Sequence, residues 1–263
     1  MSSANTDIQR NERFAEILDT AAREARELAQ IDPENHLSLA DAYAIQSASI
    51  QRRVARGERR VGVKMGFTSR AKMVQMGLSD VIWGRLTAGM QVEEGTAIDF
   101  SRFVHPRVEP ELAFVLKKPL AGDVTGPEAL AAVEAIAPAL EIIDSRYKDF
   151  KFTLPEVIAD NASSSAFVIG PWSDPRGTDF GNLGLTLDID GRTVQVGSTA
   201  ALLGHPLRSL VAAARLSAAA GEPLQAGWIV MAGGATPAEW IRPGQYVSIT
   251  MEKLGHAGFH VKG

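Results

Sequence analysis

No cysteine occurs among the 263 residues of the sequence. This absence excludes disulfide bonds, thiolate nucleophiles and cysteine-ligated metals, and it fits the reducing environment of the cytosol. The sequence also lacks a strong excess of either charge, since the net charge is −4 and the pI is about 5.8. We therefore expect no binding to nucleic acid or to an anionic membrane surface.

Long apolar runs are missing as well. No stretch reaches the roughly 18 apolar residues that a membrane-spanning helix needs. The N-terminal stretch "MSSANTDIQRNERFAEILDTAAREARELAQ" is polar, alternates in charge and lacks the apolar core of a secretory signal. Walker A, dinucleotide-binding, "GxSxG" and "HExxH" motifs are also absent. These absences predict a soluble, cytoplasmic protein.

Helical periodicity dominates the first quarter of the chain. Apolar residues recur at helical spacing over residues 7–30, and a second helix is predicted over 39–56 with Ser38 as its N-cap. Apolar residues alternate with glycine and lysine over 61–66, which is typical of a strand. Because strands predominate after this point, the pattern predicts an α+β fold rather than alternating βαβ units.

Proline and glycine divide the rest of the chain. A helix is predicted to begin at Pro127 and to run to about Ala135, where Pro138 interrupts the pattern, with a strand over 139–143. The "DG" in "GLTLDIDGRTVQVGS" predicts a β-hairpin, and "TSRAKMVQMGL" predicts a short helix or turn. We expect an N-terminal helical region over 1–60 and a β-rich catalytic region over 61–263, which together form one compact unit.

Two glutamates stand one residue apart in the apolar stretch "HPRVEPELAFVL". In a strand, residues i and i+2 point to the same face, so Glu109 and Glu111 point together. The opposite face carries Val108, Leu112 and Phe114, which indicates that both faces are buried. Two carboxylates on a buried face repel each other and resist desolvation. They therefore need a cation, a shared proton or water.

A third carboxylate, Glu141, lies between Leu140 and Ile142 in what is predicted to be another buried strand. Three glutamates on buried strands suggest an oxygen-ligand site for a hard divalent cation such as Mg²⁺. The alternative is that each glutamate pairs with an arginine, for example Arg107 or Arg146, since buried ion pairs are also common. The residue pattern alone leaves both interpretations open.

Lys64 is the second anomaly, because it sits between Gly62 and Gly66 on an otherwise apolar strand. Small neighbours let another group approach the backbone closely. A lysine there could act as an acid, as a base or as an electrostatic stabiliser. It could equally neutralise one glutamate and do nothing more.

Two polar or glycine-rich loops supply further candidates. "IADNASSS" holds Asp160, a candidate catalytic residue, and Ser163, a candidate substrate-binding residue. The alternative is that these side chains only form a turn. "MAGGATPAEW" holds Gly234 and Thr236, which could bind substrate through backbone N–H groups, although such a stretch is more often a tight connection.

Four stretches together resemble one known family: "VGVKMGFTSRAKMVQMGLSDVIWGRLTAGM", "HPRVEPELAFVL", "EIIDSRYKDFKFTLPEVIADNASSSAFVIG" and "AGWIVMAGGATPAEWI". They are similar to the 2-keto-4-pentenoate hydratases and 4-oxalocrotonate decarboxylases, which share the fumarylacetoacetate hydrolase-type fold. The resemblance implies a mixed β-roll after the N-terminal helices. It also implies a Mg²⁺ or Mn²⁺ site formed by Glu109, Glu111 and Glu141, with Lys64 in the active site.

The decarboxylase branch is the nearer resemblance. "VKMGFTSRAKMVQMG", "IWGRLTAGM" and "AGGATPAEW" look more like decarboxylases, whereas hydratases usually carry a "GSCTG"-like loop near the end. The implied activity is that of a carboxy-lyase acting on 4-oxalocrotonate (2-oxo-3-hexenedioate), an intermediate of meta-cleavage degradation of aromatic compounds. The resemblance further implies a homo-oligomer and a complex with the pathway hydratase.

Two other functions remain as alternatives. A hydratase acting on 2-hydroxypenta-2,4-dienoate would use the same site but would also deliver water and protonate carbon. A non-catalytic partner that stabilises a related enzyme is the second alternative. The presence of Lys64, Glu109, Glu111 and Glu141 argues against a catalytically inactive member.

Overall fold

Helices flank two β-sheets in this protein. The computed structural model describes residues 3–69, 73–74 and 79–263, so most of the predicted helix or turn in "TSRAKMVQMGL" lies outside the described residues. Within the described residues the α-helices are α1 (Ser3–Glu24), α2 (Leu39–Ala55), α3 (Gly126–Ala132), α4 (Leu154–Ala159) and α5 (Pro206–Ala219). The strands there are β1 (Arg60–Gly66), β2 (Ile82–Thr87), β3 (Gln91–Val92), β4 (Ala97–Asp99), β5 (Arg107–Leu116), β6 (Val133–Ile143), β7 (Ser164–Ile169), β8 (Gly184–Ile189), β9 (Arg192–Ser198), β10 (Ile229–Met231), β11 (Glu239–Trp240), β12 (Tyr246–Met251) and β13 (Gly255–Lys262).

The two N-terminal helices differ in how well the sequence predicts their ends. Ser38 is the N-cap of α2, as predicted, and it also forms a capping box with Asp41. The prediction of a first helix over 7–30 was wrong at its C-terminal end, because Ala25 adopts a φ of 48° and leaves the helix. Leu28 instead pairs through its backbone with Tyr147. This tertiary contact outweighs the local helical periodicity.

The larger sheet has eight strands in the order β2-β1-β10-β5-β6-β7-β3, with β11 added to β5. The β1/β10 and β3/β7 pairs are parallel, and the other pairs are antiparallel. A Cβ atom on Gly62 would lie 1.9 Å from the carbonyl oxygen of Ile229, so only glycine lets β1 approach β10 this closely. This pairing brings Lys64 next to Met231 at the end of β10.

The boundary between α3 and β6 differs from the one that the sequence predicts. The helix that begins near Pro127 ends at Ala132, and Pro138 lies inside β6 rather than before it. The ladder with β7 begins only at Ala139, so the missing N–H of Pro138 breaks no hydrogen bond there. The Pro138 carbonyl still accepts a hydrogen bond from Gly170.

The smaller sheet has five strands in the order β4-β13-β12-β8-β9. The predicted hairpin is confirmed as β8 and β9. Its two turn residues, Asp190 and Gly191, have φ values of 53° and 74°, which suit the two-residue turn that this "DG" predicts.

The main core lies between the two sheets and α5. Phe114 from β5, Val247 from β12, Phe259 from β13 and Leu210 from α5 belong to one buried cluster. The α+β prediction is therefore confirmed. In the part of the chain that the structure describes, no helix combines the length and the apolar character needed to span a bilayer.

Candidate active site

Three carboxylates meet where β5 and β6 pair. Glu109 and Glu111 share one face of β5, and Glu141 of β6 stands directly opposite Glu109 in the ladder. Each glutamate offers one oxygen, and these oxygens all lie within 4.8 Å of one another. Glu111 and Glu141 are fully buried, whereas Glu109 is partly exposed. The spacing allows all three residues to ligate a single cation.

The donor set fits a hard divalent cation. Burial, reinforced by the neighbouring Glu141 carboxylate, raises the pKa of Glu111 well above its usual value. Its Oε2 accepts a hydrogen bond of 2.8 Å from the Gly233 N–H. Among the described residues, the Oε1 atoms of Glu111 and Glu141 have no hydrogen-bond partner. Buried oxygens without donors are costly unless something else coordinates them, and Mg²⁺ prefers such oxygen ligands.

Lys64 reaches this cluster from β1. Its side chain is 4% exposed, and its Nζ lies 3.0 Å from Glu141 Oε2. The same Nζ donates a hydrogen bond of 3.0 Å to the carbonyl of Ala162. Burial lowers the pKa of Lys64, but the attraction of Glu141, Glu109 and Glu111 outweighs it, so the pKa is raised overall. The lysine is therefore a charged partner of the carboxylates in this arrangement.

The Ala162 carbonyl is presented by a left-handed turn. Asn161, Ala162 and Ser163 have φ values of 52°, 51° and 59°. Three successive non-glycine residues in this region are strained, so neighbouring contacts must hold them. Asn161 supplies two of these contacts, because its Oδ1 accepts from the Arg85 N–H at 2.7 Å and its Nδ2 donates to the Arg85 carbonyl at 2.9 Å.

We predict that Asn161→Ala lowers the free energy of unfolding by about 3 kcal/mol, because it leaves two buried backbone groups of Arg85 unpaired and puts alanine at a positive φ. Chemical denaturation measures this loss. Asn161→Gly removes the same hydrogen bonds but suits the backbone, so it should lose less. An Asn161→Ala variant as stable as the parent would show that this side chain does not hold the turn.

A cavity of about 310 Å³ opens beside the cluster, at the lower end of the roughly 300–1,000 Å³ typical of small-ligand pockets. Lys64 and Glu109 line it, together with Ser163 and Gly234. The Ser163 hydroxyl is buried and has no hydrogen-bond partner among the described residues, so it can bond to a ligand. A Cβ atom on Gly234 would lie 2.8 Å from the carboxyl carbon of Glu109, so glycine makes room for that carboxylate.

Besides Glu111 and Glu141 of the carboxylate cluster, two predicted site residues do not line this cavity, namely Asp160 and Thr236. The Asp160 carboxylate accepts hydrogen bonds from Arg146, and Asp160 lines a second cavity. Burial raises the pKa of Asp160 to about 6, against the opposing effect of Arg146. Thr236 is buried, and its hydroxyl donates to the carbonyl of Pro237, which does line the first cavity. The catalytic role of Asp160 and the substrate-binding role of Thr236 stay predictions.

The sequence interpretation missed an aromatic and cationic wall of the cavity. Arg107, Phe67, Phe150 and Phe152 line it. Arg107 entered only as an alternative partner for a glutamate, although its place two residues before Glu109 puts it on the same face of β5. The phenylalanines gave no signal, because single aromatic residues in loops have no periodicity to mark them.

The fold matches a known family over most of its length. The fumarylacetoacetate (FAA) hydrolase C-terminal family matches residues 59–262. The chain belongs to this family. Its fold is therefore the one that the resemblance in the sequence implied, with N-terminal helices followed by the mixed sheets of the FAA hydrolase family.

Relatives within the FAA hydrolase family are similar over nearly the whole chain. A 4-oxalocrotonate decarboxylase of a Pseudomonas species is 55% identical, over 95% of this chain and 98% of that protein. A 2-keto-4-pentenoate hydratase of Paraburkholderia xenovorans (strain LB400) is 36% identical, over 94% of this chain and 93% of that protein. The solved structure of the 4-oxalocrotonate decarboxylase from Pseudomonas putida G7, complexed with magnesium and adipate, has a TM-score of 0.93 and 35% identity and covers 99% of both chains.

Proposed function

We propose that this protein is a Mg²⁺-dependent carboxy-lyase that converts 4-oxalocrotonate into 2-hydroxypenta-2,4-dienoate and CO₂ in meta-cleavage degradation of aromatic compounds. The observation that carries the proposal is the meeting of three glutamate oxygens within 4.8 Å of one another beside the buried ammonium of Lys64. The substrate comes from the decarboxylase relatives, one of which binds magnesium and the six-carbon dicarboxylate adipate.

The substrate carries a carboxylate at C1, a ketone at C2 and a second carboxylate at C6. When the C5–C6 bond breaks, its electron pair forms a C4=C5 double bond, and the C3=C4 pair moves to C2=C3. The carbonyl pair of C2 moves onto the oxygen, which then takes a proton. A site for this reaction must therefore stabilise negative charge and supply a proton at the C2 oxygen.

The chain places suitable groups around that oxygen. A cation held by Glu109, Glu111 and Glu141 would supply Lewis-acid polarisation of the 2-keto acid. Lys64 lines the cavity next to these carboxylates, so its ammonium can hold positive charge beside the C2 oxygen and give it a proton. The Ser163 hydroxyl is free to orient the substrate. Neither a Schiff base nor an organic cofactor is needed.

One assay separates the candidate activities. Purified protein with Mg²⁺ is given 4-oxalocrotonate and, separately, the dienol product, while CO₂ and hydrated product are measured. We expect CO₂ and dienol from 4-oxalocrotonate, and loss of both when EDTA removes the metal.

The similarity to a hydratase supports a second candidate. Hydration of the dienol without release of CO₂ would establish that activity instead, and neither product would indicate a non-catalytic partner.

Broader features complete the proposal. We infer a cytoplasmic enzyme, which the lack of cysteine supports. The residues over 1–60 act as a helical region and those over 61–263 as the catalytic region of one compact unit. The enzyme forms a homo-oligomer and associates with the pathway hydratase, so that the unstable dienol passes directly between them.

A further inference from the structure

Arg107 is a cation at the wall of the cavity, and at least one of its hydrogen-bond donors is unused among the described residues. Its Nε is buried and has no hydrogen-bond partner among the described residues. The Glu109 carboxylate attracts it electrostatically, but that carboxylate belongs to the proposed metal cluster. A guanidinium at the wall of a ligand cavity is suited to bind a carboxylate in a bidentate manner.

Two aromatic rings hold this guanidinium in place. Its central carbon lies 4.1 Å from the centroid of the Phe150 ring and 4.0 Å from that of Trp240. These two rings, which we call the aromatic clamp, meet edge to face at 6.2 Å. Cation–π contact engages the charge without using the N–H donors. The donors of Arg107 therefore stay available to a ligand.

One ring of the aromatic clamp, Phe150, lies in a strained loop, and the other, Trp240, lies on β11 next to Arg107. Asp149 and Phe150 have φ values of 56° and 58°, a region that costs roughly 1–2 kcal/mol per residue for a side chain larger than glycine. The Phe150 ring also packs against those of His105 and Phe152. Such strain persists only where the surroundings impose it, and it clusters at sites that bind ligands.

We propose that Arg107, steadied by the aromatic clamp, binds the distal carboxylate of the substrate and makes the protein select dicarboxylates over monocarboxylates. The inference rests on the proposed function, which supplies a substrate with a carboxylate at each end. Residues on one face of a strand follow one another at about 7 Å. Arg107 thus lies one such step from Glu109 and two from Glu111, so the 2-keto acid end can lie at the carboxylate cluster while the other end reaches Arg107.

The reaction dictates which kinetic constant Arg107 affects. The distal carboxylate loses its charge as the C5–C6 bond breaks and CO₂ forms, so its pairing with Arg107 is stronger in the ground state than in the transition state. Such an interaction contributes to substrate binding rather than to the chemical step. Loss of Arg107 should therefore raise KM without lowering kcat.

The test compares two ligands that share the 2-keto acid head. 2-Oxoadipate carries a distal carboxylate and 2-oxopentanoate does not, and calorimetry measures the binding of each in the presence of Mg²⁺. We expect the parent protein to prefer 2-oxoadipate and Arg107→Met to bind it roughly 10- to 100-fold more weakly, as for loss of a hydrogen bond between charged groups. Binding of 2-oxopentanoate should not change, and Arg107→Lys should restore part of the preference.

A control variant separates the role of Arg107 from the general effect of losing an arginine. Arg176→Met removes an exposed guanidinium outside the cavity and should change neither affinity. Three results would overturn the inference. Arg107→Met could lose affinity for both ligands equally, or it could keep the full preference for 2-oxoadipate. The parent protein could also fail to bind either ligand. If 4-oxalocrotonate yields no CO₂ while the preference for 2-oxoadipate still depends on Arg107, the proposed function is wrong and the dicarboxylate subsite still stands.

Discussion

Lys64→Met should lower turnover of 4-oxalocrotonate by roughly 10²- to 10⁴-fold, the range typical of losing one acid–base or oxyanion-stabilising group. Methionine keeps the length of the side chain and removes its charge. Affinity for Mg²⁺ should not fall, because the ammonium 3.0 Å from Glu141 Oε2 repels a cation held by the same carboxylate. Steady-state kinetics and a metal titration on one preparation measure both quantities.

The same variant distinguishes a chemical role of Lys64 from a structural one. If Lys64 only neutralises the glutamates, Lys64→Met should lower the melting temperature, while the protein that remains folded keeps near-normal turnover. Lys118→Met provides the control, because Lys118 is exposed and does not line the cavity. A folded Lys64→Met enzyme with undiminished kcat would contradict the proposed role.

Glu111→Gln should abolish tight metal binding while the metal-free protein stays folded. Glutamine has nearly the same shape, and its oxygen can still accept the hydrogen bond from Gly233. Removing one charge from a buried cluster of carboxylates also relieves repulsion, so the metal-free melting temperature should stay the same or rise. Loss of a residue that only supports the metal ligands typically weakens metal binding by roughly 10- to 100-fold. Because Glu111 is itself a proposed ligand, the metal affinity of Glu111→Gln should fall by more than this. Activity against Mg²⁺ concentration and thermal melting are the measurements.

Glu156→Gln is the matched control for this prediction. Glu156 is also fully buried, but its carboxylate accepts hydrogen bonds from Gln30, Asp32 and Thr153 at the start of α4. We expect this variant to lose stability and keep its metal affinity, the reverse of Glu111→Gln. If Glu111→Gln instead melted early and showed unchanged metal dependence, Glu111 would be part of a structural ion pair rather than a ligand.

Strand periodicity is the reason that part of this site could be predicted. The alternation along β5 places Glu109 and Glu111 on one face without any knowledge of the fold. The same argument places Arg107 on that face. Because an arginine beside two glutamates resembles their counter-ion, its position at the wall of the cavity was not predicted. The alternation could not reveal that Glu141 stands opposite Glu109, because that depends on the register between two long strands.

Tertiary contacts explain where the local patterns failed. Helical periodicity continues past Glu24, but the chain leaves α1 so that the Leu28 backbone can pair beside Tyr147. The polar loop before a strand could not reveal that Arg146, fourteen residues earlier, lies against the Asp160 carboxylate, and the catalytic role of Asp160 stays a prediction. Neither contact is encoded in residues close together in the sequence.

Anomalous diffraction from crystals soaked in Mn²⁺ tests the central claim most directly, since it locates the cation independently of activity. The account predicts one strong peak between β5 and β6, with carboxylate oxygens of Glu109, Glu111 and Glu141 within about 2.0–2.6 Å of it. A strong peak at any other position, or a cluster that stays empty while Lys64 alone neutralises it, would contradict the account.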